Sequence, residues 1–404
     1  MVETRIDVIP SEDRDACSRT AWSASADYVD RAAKVADLVE READETERAG
    51  TMTRPVIDAL VDSNLFWILL PSDLGGGGQG VVPFLEVVEE LTRADASSGW
   101  SYMANAGSIG LAAGFLQPEA TREMFGGPNK AITAGQLGPI GRGTEAEDGY
   151  RFSGNYQFGS GSAHASWIGG GFLVEEAGRI QIGADGTPDA RVAFLPRDCA
   201  TFLGNWDVTG LVGTGSHDYR IDDQAVPREF TYPRTGAAPV RGEPVFALGH
   251  VSLGIAGHAA VALGLMKCAL GEVARITDGK KRVGYPGPVG DHPLFLQGLA
   301  KHDAMYRSAR GYVLDVFGDA EAKAATGRPI TSAEHARIRQ ASTWVHDVAS
   351  EVVGFCRLWG GTQAFRNPTR LGRVVRDLSV ATQHVLVDPV TLVDAGAVIV
   401  GTWR

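Results

Sequence analysis

Cysteine is scarce in this sequence, with four residues in a chain of 404 that stand far apart, at Cys17, Cys199, Cys268 and Cys356. No Cys-x-x-Cys pair and no Cys/His group has the spacing of a zinc site, which argues against a metal centre. Scattered single thiols are typical of proteins from a reducing compartment. We therefore expect reduced cysteines, no bound metal and a cytoplasmic location.

An excess of positive charge is also lacking, because 38 Lys and Arg stand against 49 Asp and Glu, for a net charge of -11. Nucleic-acid binding needs a basic surface, so this balance argues against a nucleic-acid partner. The N-terminus has neither the basic nor the apolar region of a signal peptide. No apolar run approaches the roughly 18 residues of a membrane span, so we expect no transmembrane helix.

The hydrophobic period changes twice along the chain, and 404 residues are too many for one compact core. After a polar lead-in over residues 1–26, apolar residues recur at helical spacing over 27–130. Short apolar runs broken by Gly, Asp and Pro over 131–240 predict an antiparallel sheet. Helical spacing returns over 241–404 and is typical of a helical bundle. The prediction is an α+β fold that is mostly α, with helices, a central β-domain and a second set of helices.

Two glycine-rich segments are candidate binding loops. Residues 75–80 fit the GxGxxG pattern, but neither a preceding buried strand nor a second βα unit is indicated, so we interpret them as a turn. Residues 210–217 lie within the β-region. They form either a plain loop or a site where backbone N–H groups and the hydroxyls of Thr214 or Ser216 face a polar ligand.

Ser160 lies in a Phe-Gly-Ser-Gly segment, with His164 and Trp167 shortly after it. The segment does not fit Gly-x-Ser-x-Gly, and no strand-to-helix elbow follows, which disfavours a hydrolase nucleophile. Two interpretations stay open for Ser160. It is either a turn serine or a hydroxyl that lies, with an aromatic ring, beside a flat cofactor.

His384 is the candidate catalytic residue among nine histidines. Most of the others, such as His250 and His258 on an Ala/Gly-rich helix, are interpreted as core or interface residues. His384 follows an Arg-rich helix and precedes Asp388-Pro389, where the helix should break. With an ordinary pKa of about 6.5, a histidine in this setting can act as a base or a hydrogen-bond donor near neutral pH.

Taken in order, five segments resemble the acyl-CoA dehydrogenase superfamily, and more closely its monooxygenase branch. That branch holds the oxygenase components of two-component flavin-dependent aromatic hydroxylases, such as the 3-hydroxy-seco-steroid and 4-hydroxyphenylacetate hydroxylases. The resemblance covers about Tyr28 to the C-terminus and rests on LPSDLGG (70–76), EELTRADASSGW (89–100), FGSG (158–161), GLVGTGS (210–216) and RDLSVATQH (376–384). It implies N-terminal helices, a central antiparallel β-barrel, a C-terminal four-helix bundle and a homotetramer with flavin at subunit interfaces.

The absence of a carboxylate separates the two branches. Dehydrogenases of this superfamily take the base either just after the final Arg-Asp helix or on the first bundle helix. The first place here carries Gln383-His384-Val385, and no acid occurs between Val245 and Gly271. Acyl-CoA dehydrogenation therefore loses its usual base. In the hydroxylases, a histidine resembling His384 lies over the flavin and the substrate ring.

The resemblance implies that a separate NAD(P)H:flavin reductase supplies reduced FMN or FAD. The bound flavin and O2 would then form a 4a-hydroperoxyflavin that hydroxylates a phenolic or polycyclic aromatic substrate deprotonated or polarised by His384. By family position, Ser160 would bond near flavin N5 and Trp167 would wall the ring, with Thr214 and Ser216 in the same cofactor site. The remaining cofactor contacts implied are a neighbouring subunit's flavin phosphate at Arg282 and a close backbone approach to the flavin at Gly360 and Gly361.

The sequence departs from the 4-hydroxyphenylacetate enzymes after Trp100, where those enzymes place a histidine and this chain has none. The substrate pocket would instead use Trp100, Asn105 or Ser108 together with His384. Relatives in the branch also hydroxylate amines of sugars and oxidise sulfur heterocycles. Those reactions, and an acyl-CoA or acyl-carrier dehydrogenase with an unconventional base, are the alternatives to aromatic hydroxylation.

Overall fold

A computed structural model describes residues 19–183 and 186–404 of the chain. The predicted lead-in over 1–26 lies largely outside the described residues, and the first helix already begins at Arg19. Five helices precede the sheet in the described part: α1 (Arg19–Ala49), α2 (Arg54–Asp62), α3 (Val81–Ala94), α4 (Ala96–Phe115) and α5 (Pro118–Phe125). The glycine-rich segment 75–80 follows a 3-10 turn and leads into α3, so no strand precedes it there, as expected of a turn.

Helix α4 lies at the centre of the molecule, with 19 of its residues buried, because it consists almost wholly of small and apolar residues. Asp95 caps its N-terminus, because the Asp95 side chain accepts a hydrogen bond from the Ser98 N–H and so satisfies a free donor of the first turn. A Cβ at Gly99 would lie 2.1 Å from Thr92 Oγ1, so glycine is needed for α4 to pack this closely against α3. This packing fixes the position of Trp100, the fifth residue of α4.

One sheet follows, with the strands β1 (Thr133–Ala146), β2 (Gly149–Tyr156), β3 (Trp167–Glu176), β4 (Arg179–Ile180), β5 (Ala190–Pro196), β6 (Ala200–Phe202), β7 (Tyr219–Pro227) and β8 (Thr231–Pro233). Their order is β6-β7-β2-β1-β3-β5-β8, and β4 pairs with β3. Two expectations were wrong in part. The sheet is open, since β6 and β8 end it without pairing in the described residues, and β1 pairs with β3 in parallel.

The parallel pair results from the path of the chain after β2. The segment 157–166 returns from the end of β2 to the beginning of β1, so that Trp167 comes to lie opposite Thr133. Strand β3 must then run in the same direction as β1. Ser160 lies in this returning segment, which the fold brings against α4.

The C-terminal part confirms the predicted helical bundle. It comprises α6 (Gly249–Thr277), α7 (Pro293–Ala324), α8 (Ser332–Gly360), α9 (Arg370–Ala381) and α10 (Val390–Ile399). Helix α6 packs against α7, α8 and α9 within the bundle and against α3 and α4 outside it. The domain limits at 130 and 240 stay predictions, although β1 begins at Thr133 and β8 ends at Pro233.

Two segments have the length and apolar composition to cross a membrane, so the expectation of no such run was wrong. In Pro244–Thr277, 89% of the apolar window is buried, because α6 is the core helix of the bundle. In Val385–Thr402, only 17% is buried. The second segment therefore presents an exposed apolar surface, which bears on assembly.

Candidate active site

Four side chains from three separate parts of the sequence form a continuous hydrogen-bonded chain. Trp100 Nε1 donates to Ser160 Oγ at 3.1 Å, and Ser160 Oγ lies 2.6 Å from Ser216 Oγ. Ser216 Oγ lies 2.6 Å from Thr214 Oγ1, which donates to the Leu211 carbonyl at 2.7 Å. All four side chains are buried. The structure thus brings together Trp100, which was predicted to bind substrate, and Ser160, Thr214 and Ser216, which were predicted to bind the cofactor.

The two fixed ends give this chain a direction. Because the Thr214 hydroxyl donates to Leu211, its oxygen is free to accept the Ser216 hydrogen, and Ser216 in turn accepts the Ser160 hydrogen. Ser160 Oγ then receives the Trp100 N–H and keeps one lone pair. The open position on Ser160 is therefore an acceptor.

The glycine-rich segment 210–216 is held directly against α9. A Cβ on Gly210 would lie 2.2 Å from the Arg376 carbonyl oxygen, so only glycine allows this approach. The next residue, Leu211, has a left-handed φ of 52° and donates its N–H to Asp377 Oδ1 at 2.6 Å. The Arg376-Asp377 pair of α9 thereby sets the position of the hydroxyl chain.

Asp377 is a buried carboxyl with one unsatisfied oxygen, since Oδ2 has no hydrogen-bond partner. Burial and the neighbouring Asp95 raise the pKa of Asp377 to about 7, against the opposing effects of the Leu211 N–H and Arg373. The pKa of Asp95 is raised as well, chiefly by burial. Two buried acids next to one guanidinium are therefore not both fully ionised near neutral pH.

His384 lies just beyond α9, where it caps a 3-10 turn. Its Nδ1 accepts the Leu386 N–H at 3.3 Å. A neutral ring that accepts at Nδ1 carries its hydrogen at Nε2, so we assign the Nε2–H tautomer. Burial and nearby His346 lower the pKa of His384 to about 4. At neutral pH, His384 consequently offers a hydrogen-bond donor rather than a free lone pair.

His258 of α6 lies face to face with His384, with ring centroids 3.9 Å apart and planes at 25°. Trp100 contacts both rings edge-on, at 4.9 Å from His258 and 5.9 Å from His384. From the sequence, His258 was interpreted as a core or interface residue. No local sequence signal indicated that His258 lies at the site, because a single histidine on an Ala-rich helix looks the same whether it fills the core or lines a site.

The two polar residues proposed for substrate binding on α4 have other partners in the fold. The Asn105 amide donates to the Thr133 carbonyl at 2.8 Å, and its Oδ1 accepts from His164 Nε2 at 2.8 Å. Ser108 accepts from the Thr133 hydroxyl at 2.8 Å. Both residues fasten α4 to the start of β1, and Asn105 also lies against the loop at Gly161.

Trp167, proposed as a wall of the cofactor site, begins β3 and is half-buried. Its ring stacks on Phe230 with centroids 5.2 Å apart and planes at 11°. One face of the indole is thus covered by Phe230. The ring is held rigidly at the end of the sheet that the Ser160 segment enters.

Arg282, Gly360 and Gly361 come together at the C-terminus of α8. Arg282 donates to the Trp359 carbonyl at 2.8 Å, and Lys280 Nζ donates to the Gly360 carbonyl at 2.8 Å. Gly361 has a φ of 63°, and a Cβ there would lie 3.0 Å from the Arg282 guanidinium. Neither cation pairs with a carboxylate in the part of the chain that the structure describes, so their charge is open to an anion.

Two family models match the chain. The acyl-CoA dehydrogenase N-terminal domain matches residues 27–120, and the acyl-CoA dehydrogenase C-terminal domain matches residues 256–389. The first range covers most of α1, all of α2, α3 and α4 and the start of α5, and the second covers most of α6 and all of α7, α8 and α9. They agree with the observed order of elements.

Named relatives place the chain within one branch. An indole-3-acetate monooxygenase from Pseudomonas putida is 30% identical over 88% of this chain and 89% of its own. The oxygenase component of an FADH2-dependent resorcinol hydroxylase from a Rhizobium species is 31% identical over 54% of this chain and 52% of its own.

The structure of XiaF from a Streptomyces species, in complex with FADH2 and glycerol, shares the fold. Its TM-score is 0.84 with 22% identity, over 94% of this chain and 96% of that one. The chain belongs to the acyl-CoA dehydrogenase superfamily, in its branch of flavin-dependent monooxygenases.

Proposed function

We propose that this chain is the oxygenase component of a two-component flavin-dependent monooxygenase that hydroxylates an electron-rich aromatic ring. The observation that carries the proposal is the position of Trp100. Its N–H ends a chain of hydroxyls, and its ring contacts the His258–His384 pair. Groups that suit a flavin and groups that suit an aromatic substrate thus meet at one side chain.

The residues present fit a reduced flavin at two places. The lone pair left on Ser160 suits the N–H that only the reduced ring carries at N5, with Thr214 and Ser216 holding the Ser160 hydroxyl. Lys280 and Arg282, without carboxylate partners in the described residues, suit a phosphate. The bound flavin supplies the activation of O2. One relative is an FADH2-dependent resorcinol hydroxylase, in keeping with this fit.

The neutral donor at His384 supports oxygenation over dehydrogenation. A dehydrogenase base must ionise toward its substrate. The buried acids nearest the site, Asp377 and Asp95, instead accept backbone N–H bonds from Leu211 and Ser98. His384 Nε2–H can orient a substrate oxygen or nitrogen, while Trp100 and His258 shape an apolar, aromatic surface that excludes water.

The substrate class follows from the aromatic surface formed by Trp100, His258 and His384. Aromatic rings favour a flat aromatic partner at offset or edge-on geometry. Indole-3-acetate and resorcinol, the substrates in two relatives' names, are both electron-rich rings. We infer a phenol or an indole as the substrate of this chain.

We further propose a homotetramer in the cytoplasm, served by a separate NAD(P)H:flavin reductase. Exposed apolar side chains support assembly: Val385, Val390 and Val393 are 72%, 61% and 69% exposed, and Trp403 is 83% exposed. Surfaces of this kind mark protein contacts. Buried free thiols at Cys268 and Cys356 are compatible with a reducing compartment. Light scattering of the purified protein tests the assembly.

Rapid mixing tests the activity. The complex with reduced FMN or FAD is mixed with oxygenated buffer, and products are then measured with phenols and indoles. We expect a transient absorbance before oxidised flavin appears, and conversion of at least one ring. Reoxidation at the rate of free flavin, without product, would contradict the proposal. Copurified oxidised FAD that is bleached by an acyl thioester would instead indicate a dehydrogenase.

A further inference from the structure

His258 is a buried polar side chain without a hydrogen bond. It is 5% exposed, and neither ring nitrogen has a partner among the described residues. Its Nδ1 is sealed from solvent, whereas Nε2 is not. Leaving a buried polar group unsatisfied costs about 1–3 kcal/mol. A residue placed only to fill the core between Trp100 and His384 would not need a nitrogen here.

Hydroxylation of an aromatic ring requires a proton acceptor. Once oxygen has bonded to a ring carbon, that carbon still holds its hydrogen, which must leave before aromaticity returns. His384 is unsuited to receive it, because its Nδ1 lone pair already accepts the Leu386 N–H. Its other nitrogen carries a hydrogen and can only donate.

The other histidines around the site also lack a nitrogen that could accept the proton. His164 donates from Nε2 to Asn105, and its Nδ1 is sealed. His346 donates from Nδ1 to the Ser342 carbonyl at 2.8 Å, and its Nε2 is sealed. Among the imidazoles that the structure describes here, His258 alone has both an uncommitted lone pair and a nitrogen that is not closed off.

We propose that His258 is the proton acceptor of the reaction, while the neighbouring His384 donates a hydrogen bond to the substrate. This inference rests on the proposed function. In the step, the C–H bond at the oxygenated carbon breaks, and its electron pair returns to the ring. The proton moves to His258 Nε2 and passes to water when the product leaves.

The surroundings of His258 suit this limited task. Burial lowers its pKa well below the ordinary value, with contributions from His384 and His346. A weak base is sufficient, because a ring carbon that regains aromaticity on losing its proton is strongly acidic. The low pKa also ensures that the proton is released.

An isotope experiment separates this role from a packing role. The aromatic compound that the wild type converts fastest is deuterated at the carbon that gains oxygen, and its turnover is compared in the wild type, His258→Asn and His258→Phe. We expect little isotope effect in the wild type. In both variants, product formation should fall by about 10²-fold or more, with a pronounced isotope effect. His384→Ala, which removes the donor, should instead release peroxide without an isotope effect.

Controls keep the outcomes distinct. His302→Asn alters a buried histidine that stacks on Phe355 at 4.2 Å outside the site, and it should lower stability without an isotope effect. Formation of the oxygen-dependent absorbance transient in the His258 variants shows that they still fold and bind flavin. Wild-type turnover in His258→Phe, or slow turnover without an isotope effect, would overturn the role of His258. A wild type that converts no aromatic compound would instead overturn the proposed function, and the inference with it.

Discussion

The indole N–H of Trp100 donates to Ser160 Oγ at 3.1 Å, and this bond joins α4 to the segment that leads into β3. It is the polar connection between the aromatic rings and the hydroxyls of the site. Trp100 reaches Ser160 only because small residues let the first turn of α4 pack closely on α3.

Trp100→Phe should keep the ring and remove this donor. We expect a loss of about 1 kcal/mol in the free energy of unfolding, together with weaker coupling of O2 use to product formation. Urea unfolding and the ratio of peroxide to product measure the two effects. Trp67→Phe is the matched control, because Trp67 Nε1 donates to the Ala131 carbonyl at 2.9 Å elsewhere. An equal rise of peroxide in both variants would contradict the prediction.

Ser216→Ala should interrupt the hydroxyl chain at its middle. The Ser160 hydrogen loses its acceptor at 2.6 Å, so the hydroxyl is no longer fixed. We expect weaker binding of reduced flavin, by about 1 kcal/mol. Fluorescence titration of Ser160→Ala, Ser216→Ala and the double variant forms a cycle in which the effects should not add. Strict additivity would show that the two hydroxyls act independently. Ser379→Ala, on the exposed side of α9, is the control.

Asp377→Asn should change how stability depends on pH. The pKa of Asp377 is raised to about 7, so the native state binds its proton more readily than the unfolded state. This group therefore stabilises the fold in acid, and the stability is lost as pH rises toward 7, by about 1.4 kcal/mol for each unit of pKa difference.

The Asp377→Asn variant keeps an oxygen for the Leu211 N–H and removes the ionisation. Its unfolding free energy should fall less than that of the wild type between pH 5 and pH 7.5. Asp58→Asn, at a carboxylate that pairs with exposed Arg54, serves as the control. Parallel pH curves for the wild type and Asp377→Asn would show that Asp377 is ionised throughout.

Gly210→Ala should be destabilising without touching any ligand. The added Cβ would lie 2.2 Å from the Arg376 carbonyl oxygen, and neither backbone can give way easily. We expect a loss of about 1–3 kcal/mol and a displaced Thr214–Ser216 pair. Gly271→Ala, on an open face of α6, should gain about 0.5–1 kcal/mol, since glycine is unfavourable within a helix. Thermal unfolding of both variants measures these changes. Equal melting midpoints for Gly210→Ala and Gly271→Ala would contradict the close approach of Gly210 to α9.

Arg282→Met should reveal whether the C-terminus of α8 holds a phosphate. The variant keeps the length of the side chain and removes its charge. We expect about tenfold weaker binding of reduced FMN or FAD and unchanged binding of reduced riboflavin, which lacks the phosphate. Arg54→Met, at an exposed ion pair, is the control. Equal losses for FMN and riboflavin would assign Arg282 to capping α8 alone, through the Trp359 carbonyl.

The order of helices, sheet and bundle could be predicted from the sequence, because hydrophobic period reports local structure directly. The direction of β3 could not, since it depends on where the segment 157–166 returns in space. The open edge of the sheet was missed for the same reason. Closure is decided by pairing between strands distant in sequence, as β6 and β8 are.

In the candidate site, too, features set by local sequence could be predicted, and features set by contacts distant in sequence could not. Ser160, Thr214, Ser216, Trp100 and His384 were selected from segments with distinctive local sequence, and the structure brings them together, while their roles stay predictions. The position of His258 was missed because its partners lie on α4 and beyond α9, and nothing adjacent to it in the chain indicates them. Roles for Asn105 and Ser108 in substrate binding stay predictions, alongside their contacts to Thr133 and to the loop.

The aromatic rings around Trp100 and the cations at the C-terminus of α8 differ in charge, and this has a consequence for how binding responds to salt. The rings of Trp100, His258 and His384 carry no charge at neutral pH, whereas Lys280 and Arg282 are cations beside backbone carbonyls. Added electrolyte screens charge–charge attraction and leaves ring contacts largely intact. Raising ionic strength should therefore lower the affinity for a phosphate-bearing cofactor and leave the affinity for a neutral aromatic compound nearly unchanged.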